Sequence, residues 1–257
     1  MGRGSGRQWG ALAAAVLLLA GCSSDPSKPE NKVDLSDSLL AAAAASQQAN
    51  DFLSAANYYR TSLADRPSNR DASLGLMMCL RLIGGLDEAT GVADRAAAQW
   101  PNDPQILSEA GKVKLAAGKP DEAIVLLKRA IDLNGKDWRT LSALGLAYDR
   151  KGDYAAADES YKAALAISPE NASILNNYGM SRAMANDLDG ARGILLRAVM
   201  MPNADVRVRQ NLALVYALSG DMAKAEELTR RDLPPALANA TLDYYRQLAA
   251  AAPENQH

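Results

Sequence analysis

Apolar residues fall into three patterns along this chain. The first is an unbroken run of ten, Ala11–Ala20, behind a short start that carries Arg3 and Arg7 and no acid. As a helix this run is about 15 Å long, half of what crosses a hydrocarbon core. It reads as the apolar part of an export signal, not as a spanning helix. The second pattern is polar. Ser23–Leu35 is built from Ser, Asp, Pro, Lys, Glu and Asn with little to bury, which predicts a flexible tether of up to roughly 45 Å when extended. The third begins at Ser36, where large apolar residues recur three and four apart, as in Leu141, Leu144 and Tyr148. That spacing lays one apolar stripe along a helix.

The stripes repeat. Frames of 34 residues from Ser36 give six blocks, beginning at Ser36, Arg70, Pro104, Trp138, Ala172 and Val206 and ending at Asn239, with no insertion. Column twenty is alanine in every block: Ala55, Ala89, Ala123, Ala157, Ala191 and Ala225. Column fifteen is Asn50, Gly84, Gly118, Gly152, Asn186 and Gly220, residues that suit a left-handed helix end before a tight turn. Column eight is Ala43, Met77, Gly111, Gly145, Gly179 and Ala213; small residues there and at column twenty let two antiparallel helices approach closely. Met77 is large for its column. Apolar residues at four and seven (Leu107; Leu141 and Leu144; Leu175 and Tyr178) fill the seam, and Pro67, Pro101 and Pro169 at column thirty-two stop the second helix. After Pro234-Pro235 a further helix is expected from about Ala236 to Ala252, with Leu242, Tyr245 and Leu248 on one stripe and Asp243, Arg246 and Gln247 elsewhere. Residues 253–257 are expected to fray.

These columns resemble the tetratricopeptide repeat, best in the fourth block through Leu141, Leu144, Gly145, Tyr148, Ala157, Tyr161, Ala164 and Pro169, and least in the sixth, where Thr229 and Asp232 depart from it. The resemblance implies an all-α fold, a right-handed superhelical solenoid of six helix–turn–helix repeats closed by a C-terminal capping helix. It also implies that the first helices line a concave groove for a peptide or partner helix. Columns two, five, nine and twelve are expected to face that groove: Arg139, Ser142, Leu146 and Asp149; Ser173, Asn176, Met180 and Ala183; Arg207, Gln210, Leu214 and Ala217. Amides and hydroxyls there can bond a peptide backbone, arginines can fork onto carboxylates, and Met and Leu give adaptable apolar contact. The carboxylate clamp of chaperone-binding repeats is not matched. Asn177 and Arg207 fall near its pattern, but Ser142, Leu146 and Asn211 occupy three of its five places.

Composition narrows the chemistry. Net charge is −2, which argues against a sequence-independent nucleic-acid binder. The sole histidine is His257, so His-based triads and His-ligated zinc or haem are excluded. Cys22 and Cys79 cannot build a thiolate metal site or a multi-bridge framework. Cys79 reads as a small buried hydrophobe, and Trp100 and Trp138 as covers for the seams between repeats. Asp121, Glu122, Asp158 and Glu159 read as helix-surface acids. With no nucleophile–base pair, metal set or phosphate loop, the chain is expected to be no enzyme and to need no cofactor.

Leu19-Ala20-Gly21-Cys22 resembles the lipobox of bacterial lipoproteins, which implies cleavage before Cys22 and acylation of its thiol. The organisation expected is therefore a signal peptide at 1–21, a lipidated N-terminus and tether at 22–35, repeats at 36–239, and a capping helix and tail at 240–257. Ser23 and Ser24, with no Asp directly after the cysteine, resemble outer-membrane sorting in Gram-negative bacteria, which implies the periplasmic face of that membrane. The stretch RVRQNLALVYALSGDMAKAEELTRRDLPP, Arg207–Pro235, followed by Tyr244-Tyr245, resembles the TadD lipoproteins of tight-adherence (Flp pilus) secretion systems. That resemblance implies a pilotin-like partner of a pilus secretin. The alternative is a general envelope-assembly scaffold, for β-barrel insertion or cell-wall synthesis, holding another client in the same groove. In either case the partners are a protein or peptide client and, through the lipid, a membrane.

Overall fold

The computed structural model describes residues 35–251, and these form thirteen α-helices with no strand among them. The expected export signal, Cys22, the expected tether and residues 252–257 lie outside the described residues. Six hairpins follow in order: α1 (Leu35–Gln48) with α2 (Phe52–Asp65), α3 (Arg70–Ile83) with α4 (Leu86–Gln99), and α5 (Pro104–Ala116) with α6 (Pro120–Leu133). The next are α7 (Trp138–Lys151) with α8 (Tyr154–Ile167), α9 (Ala172–Met184) with α10 (Leu188–Val199), and α11 (Val206–Leu218) with α12 (Met222–Asp232). A last helix, α13, spans Pro235–Ala251.

Local chemistry fixes the helix ends. All six column-fifteen residues have positive φ, from 58° at Asn50 to 83° at Gly220, so each reverses the chain between the helices of its hairpin. Carboxylates and amides cap the starts. Asn69, Asp103, Asp137, Asn171 and Asp205, the last residues of their blocks, each accept a bond from the first turn of an odd-numbered helix. Asp51, Asp153, Asp187 and Asp221, directly after the turn, do the same for α2, α8, α10 and α12. Helices α2, α4 and α8 end two residues before Pro67, Pro101 and Pro169.

The hairpins close on their small residues. Each column-twenty alanine is fully buried. A methyl added at Gly111, Gly145 or Gly179 would come within 2.7, 2.8 or 2.6 Å of Leu127, Tyr161 or Leu195, the column-twenty-four residue of the same hairpin. The second hairpin reverses the sizes. Met77 fills column eight, Ala93 stands in column twenty-four, and both are fully buried. Met77 is therefore a compensated swap. In the sixth hairpin the departures are accommodated differently: Asp232 takes a bond from Arg209 of α11 at 2.7 Å, and Thr229 is buried with its hydroxyl unbonded.

Each hairpin packs on its neighbours alone. Within the described residues the backbone of every odd-numbered helix packs close to the next odd-numbered one. The backbones of even-numbered helices stay apart and are linked by side chains, as in the Arg60–Glu88 ion pair between α2 and α4 at 2.8 Å. The odd helices thus form the tighter, inner row of the stack. α13 packs on α11 and α12, burying Leu242 and Tyr245 and leaving Asp243, Arg246 and Gln247 exposed.

A candidate protein-interaction groove

The inner row presents two clefts. One, of about 490 Å³, lies between α9 and α11 and is lined by Ser173, Asn176, Asn177, Arg207, Gln210 and Asn211 among others. It brings together four of the residues expected to face a groove. Arg207 is exposed and pairs with Asp205 at 2.8 Å. Asn211 donates from Nδ2 to Asn176 Oδ1 at 2.7 Å, and Asn176 Nδ2 donates to Asn177 Oδ1 at 3.4 Å. The Gln210 carboxamide is buried with neither Nε2 nor Oε1 bonded. Each such orphaned group costs about 1–3 kcal/mol. Met180 and Leu214 are half-buried, resting on the core cluster that holds Leu212, Leu242 and Tyr245.

The second cleft, of about 510 Å³, runs along α3, α5 and α7 and includes Asp71, Leu74, Met78, Gln105, Lys112 and Arg139. The first five stand in columns two, five and nine of the second and third blocks, the same columns that predicted the C-terminal lining. The repeat frame could have named them. The charges here largely satisfy one another: Arg81 binds Glu109 at 2.7 Å, and Lys112 approaches it at 3.6 Å. Arg139 is exposed and lies 4.4 Å over the Trp138 ring, a cation–π stack.

Three expected groove residues turn inward instead. Ser142 is 8% exposed and offers a client almost no surface, while Leu146, one turn on, is half-buried. Asp149 is buried between three helices, its carboxylate taking the Tyr161 hydroxyl at 2.8 Å and the Ser181 hydroxyl at 2.5 Å. Burial pushes its pKa up, against the two hydroxyl bonds, which pull it down. It pins α7, α8 and α9 together and is no groove contact. Ala217 is likewise buried, while Ser173 is exposed and Ala183 half-buried.

Asp158 also departs from its expected place on the helix surface. It is half-buried, and accepts from Tyr178 at 2.5 Å and Arg182 at 3.1 Å. Burial works to raise its pKa, but the bonds from Lys162 and Tyr178 outweigh that and hold it low. Burial and this carboxylate push Tyr178 up to about 12. Cys79 is fully buried, and burial lifts its thiol to about 11, far from a reactive thiolate.

The sequence pattern of the tetratricopeptide repeat matches residues 40–104, 108–172 and 142–207, which together cover more than half of the chain. The chain belongs to the tetratricopeptide repeat family. Among curated proteins, the repeats are 27% identical over 140 residues to the BBSome complex member BBS4 of Xenopus tropicalis, covering 53% of this chain and 27% of that one. They are 30% identical over 122 residues to the type IV pilus assembly protein PilF of Pseudomonas aeruginosa, covering 46% of this chain and 48% of PilF. The matches thus span less than half the length of either relative. Among solved structures, PilW, described as a widely conserved type IV pilus biogenesis factor, superposes with a TM-score of 0.69 at 16% identity, covering 84% of this chain and 98% of that one. The PilF structure superposes with a TM-score of 0.64 at 18% identity, covering 84% and 97%. At those identities the likeness is one of fold. Tetratricopeptide repeats are scaffolds for protein–protein interaction.

Proposed function

We propose that this tetratricopeptide repeat protein is a lipoprotein on the periplasmic face of the outer membrane, acylated at Cys22, that acts as a pilotin-like assembly factor. Its client on this reading is the secretin of a tight-adherence (Flp) pilus system, which it localises or stabilises, as the resemblance to TadD implies. The observation that carries the proposal is the pairing of a Leu19–Cys22 lipobox and polar tether with a repeat array whose inner row is open to a partner. The sequence relationship to PilF supports a role in pilus assembly. A tether lets the array search for a client near the bilayer while several acyl chains, at ~0.8 kcal/mol per buried methylene, keep it there.

Three measurements test this reading. Deleting the gene is expected to abolish secretin multimers and surface pili, and normal levels of both would exclude the role. Cys22→Ser is expected to release the protein from outer-membrane fractions; retention there would exclude the lipid attachment. Photo-crosslinking from Asn176, Met180 and Gln210 is expected to capture the secretin, and capture of a β-barrel or cell-wall enzyme instead would favour a general envelope scaffold.

A further inference from the structure

The repeat frame does not end at Asn239. One more step of 34 residues puts Thr241, Tyr244, Leu248 and Ala251 of α13 into columns two, five, nine and twelve. Hydrogen bonds show that this register is real. Asn211, in column six, donates to the side chain of Asn176, in column five of the preceding inner helix. Tyr245, the next column-six residue, donates from its hydroxyl to the backbone carbonyl of Gln210, the next column-five residue, at 3.0 Å. Leu242 falls in column three and is fully buried, as are Ile106 and Ile174 in that column. α13 also touches α11 as the other inner helices touch one another. It is a seventh inner helix, and it carries the groove one step further.

With α13 included, the two halves of the groove differ in kind. Column nine of α9, α11 and α13 reads Met180, Leu214 and Leu248, and column twelve reads Ala183, Ala217 and Ala251. Beside this apolar strip, columns five and six supply Asn176, Asn177, Gln210, Asn211 and Tyr244, with Tyr244 56% exposed. No charged side chain stands in columns five, six, nine and twelve of the three helices; column two adds Arg207, which Asp205 engages. In α3, α5 and α7 the same columns hold Arg81, Glu109, Lys112 and Asp149.

We infer that the face of α9, α11 and α13 receives an extended, uncharged segment of the client with apolar side chains at alternate positions. This rests on the proposal above that the groove is the client site. A charged segment would lose its hydration on the apolar strip, and the charged residues that line the cleft, Arg207 and Asp205, already pair with each other. The amide chain runs one way, from Asn211 through Asn176 to Asn177. Its ends, Asn211 Oδ1 and Asn177 Nδ2, have no bond among the described residues, and the buried carboxamide of Gln210, in the lining of the same cleft, has neither atom bonded. Free main-chain N–H and C=O groups complement these; a helix has already used most of its own. Side chains of an extended segment alternate, so one row lies on Met180, Leu214 and Leu248 while the other faces water. Inner helices about 9 Å apart span about 18 Å over three, the length of five or six extended residues.

The test uses the full chain in detergent and peptides of about ten residues that alternate Leu with Ser, followed by fluorescence anisotropy. The alternating peptide is expected to bind. Replacing its Leu residues by Glu or Lys, or N-methylating its backbone amides, is expected to weaken binding at least tenfold. Leu214→Glu and the surface variant Tyr244→Ser are expected to lose binding with an unchanged melting temperature for the latter, while Lys112→Ser keeps it. Equal binding of charged and uncharged peptides, or indifference to N-methylation, would overturn the inference. So would sensitivity to Lys112→Ser with none to Tyr244→Ser, which leaves the groove as the client site. Secretin capture unaffected by substitutions in either half would instead remove the groove reading itself.

Discussion

Gly145 and Gly152 lie seven residues apart and are required for unrelated reasons. Gly152 has φ of 75° with nothing near its missing side chain, so Gly152→Ala acts through the backbone and costs about 1–2 kcal/mol. Gly145 sits in helical backbone against the Tyr161 ring, so Gly145→Ala overpacks the seam and costs about 1–3 kcal/mol. On a Tyr161→Ala background, which copies the small partner that Met77 has in Ala93, the Gly145→Ala loss is expected to shrink and the Gly152→Ala loss to stay the same, which urea unfolding of the single and double variants would check. Asp149 gives a second residue-scale outcome. Burial raises its native pKa above the ordinary value of 3.8, so the native state holds that proton more tightly than the unfolded chain does. From this group alone, stability is greatest below the unfolded pKa and declines as pH rises through the native one. Asp149→Asn cannot titrate, so it is expected to gain stability relative to wild type between pH 4 and pH 7. Each ~1.4 kcal/mol of that gain corresponds to a tenfold difference in proton affinity. An unchanged difference between the two pH values would remove the assignment.

At the scale of elements, the capping acids decide where helices begin. Asp153→Ala removes one bond to the start of α8 and is expected to cost about 1 kcal/mol. Asp103 caps α5 through Gln105 and Ile106 and also receives Arg70 at 2.6 Å, so Asp103→Ala is expected to cost more. The Arg70 bond, with help from the cap, holds the Asp103 pKa below 3.8. Its contribution is therefore present above that value and lost as pH falls through the native one. The gap between wild type and Asp103→Ala is expected to narrow on acidification from pH 5 to pH 2, measured by thermal unfolding. These caps show what a sequence can and cannot disclose. Turn and packing columns were legible because one residue type, or one size, recurs at a fixed offset. The cap columns recur as well, from Asn69 to Asp205, but alternate between Asn and Asp and so stand out less. The Met77–Ala93 exchange becomes visible only when columns eight and twenty-four are read as a pair. The burial of Asp149 had no local signal, since it depends on Tyr161 and Ser181 arriving from two other helices. α13 lay hidden in the groove's register because Pro234-Pro235 reads as the end of a repeat.

Across the whole array, the absence of contacts beyond nearest neighbours governs how stability is distributed. Such a stack behaves as a sum of hairpin and interface contributions. Interior hairpins have two interfaces and the end ones fewer, so amide hydrogen exchange is expected to be slowest in α5–α8 and fastest in α1 and α13. Uniform protection from end to end would contradict this. Removing α13 uncovers Leu212 and Tyr216 beside the emptied Leu242 and Tyr245 sites, and is expected to shorten the groove and promote self-association.

Nearest-neighbour packing also sets the response to mechanical load. A pull applied between α1 and α13 crosses every hairpin interface in series, and among the described residues no contact between non-adjacent hairpins shares the tension. The weakest junction then yields first while the others hold. Each 34-residue block that lets go pays out roughly 115 Å of slack, so a single stretched molecule lengthens as a staircase instead of snapping open at once.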